Sequence, residues 1–213
     1  MKLQNSNLVV RAIWAVLLVA FVAALALQRW SIAFVSLATL GISMLPLALA
    51  ARMHIRLPTA FLVFIVFFVF ATLFLGEVFD FYERYWWWDI LLHGSSAIGF
   101  GLIGFLFIFA LFEGDLYAAP AWAIALISAC FAVAIGAVWE IFEFAMDQTF
   151  GTNMQKSGLM DTMADLIVNV IGSAIGGISG FLYLKGRERG GLFAWLIAEF
   201  VDKNRRLFRR KKR

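Results

Sequence analysis

Trp139-Glu140-Ile141-Phe142-Glu143-Phe144-Ala145-Met146-Asp147 closes a long apolar run that begins at Ala121. At 100° per residue, Glu140, Glu143 and Asp147 fall within about 60° of one another on a helix. The result is one acidic stripe at a depth where lipid would otherwise be met. Ionisable side chains at membrane depth are costly and face a bundle interior or a water-filled cavity. The stripe therefore needs partners, and the chain offers two sets: Asp89 with His93, and Asp161, Asp165 and Asn169.

Composition agrees with a membrane setting. Hydrophobic residues make up 63% of the 213, against roughly 45–50% in soluble domains. Six apolar segments, approximately 9–27, 31–50, 59–76, 88–113, 120–146 and 163–184, each reach the roughly 20 residues that a helix needs to cross a bilayer. Pro46 lies inside the second and is a candidate kink; Pro58 and Pro120 sit at span starts, where proline is tolerated. The fold class is all-α: a polytopic membrane helix bundle over residues 1–190, with its site in spans 4–6 (about 88–184), and an amphipathic, polybasic tail over 191–213. The tail run Leu192 to Val201 sets Leu192, Leu196 and Phe200 on one face, ahead of a basic segment suited to anionic lipid. A single cysteine, Cys130, excludes an intramolecular disulfide framework and a cysteine metal cage.

With both termini in the cytoplasm, 15 of the 18 basic residues lie on the inner side. Arg29, Arg84 and Lys156 are the outer three, an asymmetry that the positive-inside rule reads as orientation. The net charge of +4 then belongs to topology rather than to nucleic acid. The expected location is a bacterial inner membrane, with membrane lipids as neighbours; no oligomeric state can be read.

In this topology the polar residues gather at the outer ends of spans 4, 5 and 6. Asp89 and His93 are i,i+4 neighbours with Ser96 on the same face, and Asp161, Asp165 and Asn169 form a second such ladder. Gly172, Gly176 and Gly180 recur every four residues, a spacing that lets membrane helices approach closely. So many acids need compensation by a cation, shared protons or bases. Histidine among carboxylates with an Asn carbonyl suits a divalent ion such as Mg²⁺, Mn²⁺ or Zn²⁺. Asp89, His93, Glu140, Glu143, Asp147, Asp161, Asp165 and Asn169 are the candidate ligands; His93, Glu140 and Glu143 are candidate catalytic groups. Blander roles exist for some of them: Asp161 as an N-cap, Asp147 as a solvated helix end, His93 as a packing residue bonded to Asp89.

Asp89-x-x-x-His93, Glu140-x-x-Glu143 after an aromatic, and Asp161-Thr162-x-x-Asp165 before a glycine-rich span resemble the YjdF-like family of bacterial inner-membrane proteins. The resemblance covers roughly Trp88 to Gly177 and supplies no reaction. Gly158 stands where the family pattern has an acidic residue, which leaves the site's charge open. A weaker similarity, through the Asp/Asn start of the last span, is to VanZ-like membrane proteins.

The first expectation for function is a metal-dependent membrane hydrolase or transferase acting on a lipid or lipid-linked substrate. The others are a proton- or cation-coupled transporter and an ion-stabilised accessory protein. A transporter needs a continuous polar path, whereas the inner halves of spans 4–6 are almost wholly apolar.

Overall fold

A computed structural model of the chain describes residues 8–112, 119–186 and 191–208, and these are almost entirely helical, with no strand among them. Six helices are long and apolar enough to cross a membrane: α1 (Leu8–Ala26), α2 (Trp30–Arg52), α3 (Thr59–Val78), α4 (Trp88–Phe112), α5 (Ala121–Phe150) and α6 (Leu159–Leu184). A short helical turn covers Phe81–Arg84, and a further helix, α7, covers Gly191–Lys203. The chain divides into two compact units, Met1–Trp88 and Asp89–Arg213.

In the first unit, α1 and α3 meet through Val10, Leu17 and Val66, all fully buried. α2 runs unbroken through Pro46. Its buried Ser36 and Thr39 return their hydroxyl protons to the carbonyls of Ile32 and Val35, at 2.7 Å each. Ser43 does the same to Leu40 and also accepts a 3.0 Å hydrogen bond from Trp14 Nε1, which ties α1 to α2. α3 contains a π-helical stretch, Phe70–Leu75, followed by Gly76, where any side chain would collide with the Tyr82 ring.

The second unit is built on glycine contacts. A Cβ at Gly172 would lie 2.7 Å from the Gly94 carbonyl oxygen, and one at Gly176 would lie 2.9 Å from Gly101 Cα. α4 and α6 therefore touch backbone to backbone, the approach that small residues permit. α5 joins them through Gly104, which faces Phe131, and Gly177, which faces the Ala125 carbonyl oxygen. Three helices held this closely can bring short polar side chains into mutual reach.

Helix limits differ from the apolar runs at the polar ends. α5 continues to Phe150, and α6 begins at Leu159, four residues before the run at 163. Hydropathy falls where the carboxylates start, but backbone hydrogen bonding does not. What bounds the helices is backbone conformation: Gly151 after α5 and Gly158 before α6 both take φ of 65°, which glycine adopts without a steric penalty.

α7 has a narrow buried face. Ala194 and Ile197 turn inward, while Leu192 and Trp195 are exposed. The segment after it folds back, and Phe208 stacks on Phe109 of α4 at 5.2 Å. Residues 209–213, the end of the basic tail, lie outside the described residues, as do Arg187 and Arg189.

Candidate functional site

His93 is the hub. It sits one turn into α4, is 7% exposed, and has carboxylates on both ring nitrogens. Nε2 lies 3.5 Å from Asp89 Oδ1 and 3.9 Å from Asp165 Oδ2; Nδ1 lies 3.6 Å from Glu140 Oε1. Asp89 comes from the preceding turn of the same helix, Glu140 from α5 and Asp165 from α6. One ligand atom each from Asp89, His93 and Asp165 falls within 4.8 Å of the other two. Asp165 and Asn169 are 2% and 1% exposed.

These groups are short of conventional partners. Among the described residues, both oxygens of Glu140, Asp165 Oδ2, Asp161 Oδ2 and Asn169 Nδ2 are buried without a hydrogen bond. Native proteins leave few buried polar atoms in that condition, so each one calls for a specific reason. The separations around His93 exceed hydrogen-bonding distance. They match instead the spacing of ligands around a shared ion, since two ligands each about 2.1 Å from a tetrahedral ion stand roughly 3.4 Å apart.

The remaining candidates are placed differently. Glu143 is buried and accepts a 2.8 Å hydrogen bond from Trp139 Nε1 one turn earlier. Asp147 is committed to the α5–α6 loop, where Oδ1 accepts from Thr152 Oγ1 at 2.7 Å and from the Met154 amide at 2.8 Å. Its Oδ2 accepts from the Gln155 amide at 2.9 Å. It is not among the groups gathered at His93. Asp161 lies in the first turn of α6, with Gly158 at the cap position it was expected to take. Gln155 Nε2 donates to Thr162 Oγ1 at 2.6 Å, which fastens the loop to the start of α6. Ser96 returns its proton to the His93 carbonyl and does not extend the site. Asp80 and Arg84 are 3.9 Å apart and mostly exposed, as expected of surface charges.

Because Asp147 organises three backbone and side-chain donors, Asp147→Ala is expected to release the loop. Without that carboxylate the three donors turn to water, and the loop loses the acceptor that gathers them. Hydrogen exchange at Met154 and Gln155 should rise well before global unfolding. Unchanged protection there would show that the loop is held by other contacts.

Two neighbours escaped the sequence reading. Gly136 of α5 faces Asn169 so closely that any side chain would strike its amide. Ser173, one turn beyond Asn169, is fully buried, and its hydroxyl has no partner among the described residues. Extending the 161–165–169 ladder by another four residues would have found it.

The family described as a predicted membrane protein family (DUF2238) matches residues 8–186. It is the YjdF-like family, and the match reaches back through the first three helices, where no resemblance had been read. The VanZ-like similarity forms no part of that match. A Thermotoga maritima protein, itself described as uncharacterized, is 31% identical over 123 residues. Those residues are 57% of this chain, which spans 59% of that relative's length. No solved structure matches.

Proposed function

We propose, for a chain that belongs to the DUF2238 family of predicted membrane proteins, that Asp89, His93 and Asp165 bind one divalent cation, Mg²⁺, Mn²⁺ or Zn²⁺. The ion would serve hydrolysis or group transfer on a lipid or lipid-linked substrate. One observation carries the reading: two carboxylate oxygens stand 3.5 and 3.9 Å from the same imidazole nitrogen, too far to bond it and well spaced to share an ion with it. Nε2 would then be the ligand atom, with Glu140 Oε1 3.6 Å from Nδ1 on the other side of the ring. A carboxylate behind a metal-bound histidine fixes its tautomer and raises its basicity. Glu140, buried and 3.6 Å from Nδ1, is also assigned the proton-transfer role. Asn169 supports the cluster from one turn deeper. Asp161 lines the approach, and Glu143, engaged by Trp139, is assigned to the outer wall.

Elemental analysis of the purified protein before and after chelation tests the ion directly. About one equivalent should be present, and His93→Ala or Asp165→Asn should lack it. Metal-free wild type after exposure to all three ions would rule the site out. Turnover is tested by mass spectrometry of bacterial polar lipids incubated with metal-loaded wild type and Asp165→Asn. A proton-sharing cluster is the competing reading, favoured by the two unpartnered oxygens of Glu140.

The orientation proposed is a bacterial inner membrane with both termini in the cytoplasm, which puts the site at the outer surface. It is supported by the placing of basic residues. α7, with Leu192 and Trp195 outward and Lys203, Arg205 and Arg206 beyond them, is assigned to the inner interface against anionic lipid. In intact cells, a cysteine at Lys156 should react with an impermeant maleimide and one at Lys203 should not. The reverse pattern would invert the topology.

A further inference from the structure

We infer that Asn169 and Ser173 line a blind, water-binding pocket behind the His93 cluster, reaching from Asp165 toward the middle of the membrane. Asp165, Asn169 and Ser173 succeed one another at i,i+4 on α6, so Ser173 lies ~12 Å deeper than Asp165. Their exposures are 2%, 1% and 0%. Each carries an atom without a hydrogen-bond partner among the described residues: Asp165 Oδ2, Asn169 Nδ2 and Ser173 Oγ.

Among the described residues, Ser173 Oγ and Thr72 Oγ1 are the buried hydroxyls without a partner, and Ser173 is the one beside the His93 cluster. Ser36, Thr39, Ser128 and Ser179 all return their protons to a carbonyl four residues earlier on the same helix, at 2.6–2.7 Å. That local bond is what a helical hydroxyl makes when nothing else is offered. Ser173 forgoes it. The opposing stripe of α5 is small: Asn169 meets Gly136, Gly177 meets Ala125 and Ala129, and Ala132 is the buried residue between those levels. Gly136, Ala132, Ala129 and Ala125 carry nothing longer than a methyl group, and Ser128, buried beside them, gives its proton to the Ile124 carbonyl.

Water fits these requirements. A buried water needs two to four polar partners, and the row offers a donor at Asn169, a hydroxyl at Ser173 and acceptors at Asp165 and Glu140. Below Ser173 the row is shut, because a Cβ at Gly177 would lie 2.7 Å from the Ala125 carbonyl oxygen and Gly180 abuts the Phe105 ring. The pocket therefore opens only toward the cluster. Its use rests on the hydrolytic reading above: a lipid lying across the mouth would cut the site off from bulk water, and a hydrated pocket behind the ion keeps water at the reacting centre.

Silver-ion accessibility tests the pocket without reference to metal or turnover. Silver ion is close to water in size and reacts with thiolate, which forms in water and not in hydrocarbon. In full-length Cys130→Ser protein in detergent, Ser173→Cys should be blocked at least roughly tenfold faster than Ile171→Cys, whose apolar side chain is exposed on a membrane-crossing helix and would meet detergent. Equal, slow blocking of the two would overturn the proposal. Ser173→Ala supplies a second measurement that does not depend on cysteine being accommodated. If the hydroxyl is dry and unpaired, its removal raises the melting temperature; if it binds water, the melting temperature stays level or falls. A rise would overturn the pocket. Loss of metal binding with rapid Ser173→Cys blocking would remove the hydrolytic reading and leave the pocket standing.

Discussion

Chelating divalent cations is expected to lower the melting temperature of the detergent-solubilised protein, and adding the cognate ion back should restore it. The sign follows from what surrounds His93. With the ion gone, Asp89, Asp165 and Glu140 face one another in a region where the histidine and two of the three acids are buried. Uncompensated buried charge is strongly destabilising, and binding to the folded state alone stabilises by mass action, about 2.7 kcal/mol at 100 times Kd. Asp165→Asn removes a charged ligand at nearly constant shape. Loss of an outer-shell partner costs roughly 10–100-fold in metal affinity, so loss of a direct ligand should cost at least that, and the chelator effect should nearly vanish. A proton-sharing cluster predicts the opposite pair of results. Chelator would then do nothing, and Asp165→Asn would stabilise the protein by relieving repulsion. A flat chelator response with a more stable Asp165→Asn variant would end the metal reading.

Gly176→Leu should leave little folded protein, and Gly172→Ala should fold with a damaged site. The atoms in the way are backbone: Gly101 Cα at 2.9 Å and Ile98 O at 3.0 Å from a Cβ at 176, Gly94 O at 2.7 Å from one at 172. Backbone cannot swing aside as a flexible side chain can, so α4 and α6 must separate. Overpacking of this kind costs about 1–3 kcal/mol for one methyl group, and more for a branched side chain. Gly94 adjoins His93, so the displacement at 172 moves the hub away from Asp165. Thermal unfolding and metal affinity should therefore fall together for Gly172→Ala. Gly41 is the control, because nothing lies within 4 Å of a Cβ there. Gly41→Ala should match wild type or exceed it slightly. Equal melting temperatures for Gly41→Ala and Gly172→Ala would mean that α4 and α6 are not in backbone contact.

The all-helical class and the six spans were legible in the sequence, because a bilayer-crossing helix announces itself in local composition: about 20 apolar residues need no tertiary partner to be recognised. The i,i+4 ladders were legible for the same reason, since helical periodicity places Asp89 beside His93, and Asp165 above Asn169, in any environment. Helix ends were less so. Asp147 and Asp161 interrupt hydropathy without interrupting backbone hydrogen bonds, and the boundaries fall at the positive φ of Gly151, after α5, and Gly158, before α6. Only the tertiary structure could sort the acids. Glu140 and Glu143 are equivalent in type and nearly so on the helical wheel. Yet Glu140 reaches His93, while Glu143 turns to Trp139 and Asp147 to its own loop. Ser173 and Gly136 gained their places the same way, through the rotation and separation of α4, α5 and α6. That choice depends on which small residues meet across the helix crossings, a property of three helices together that no single stretch of chain contains.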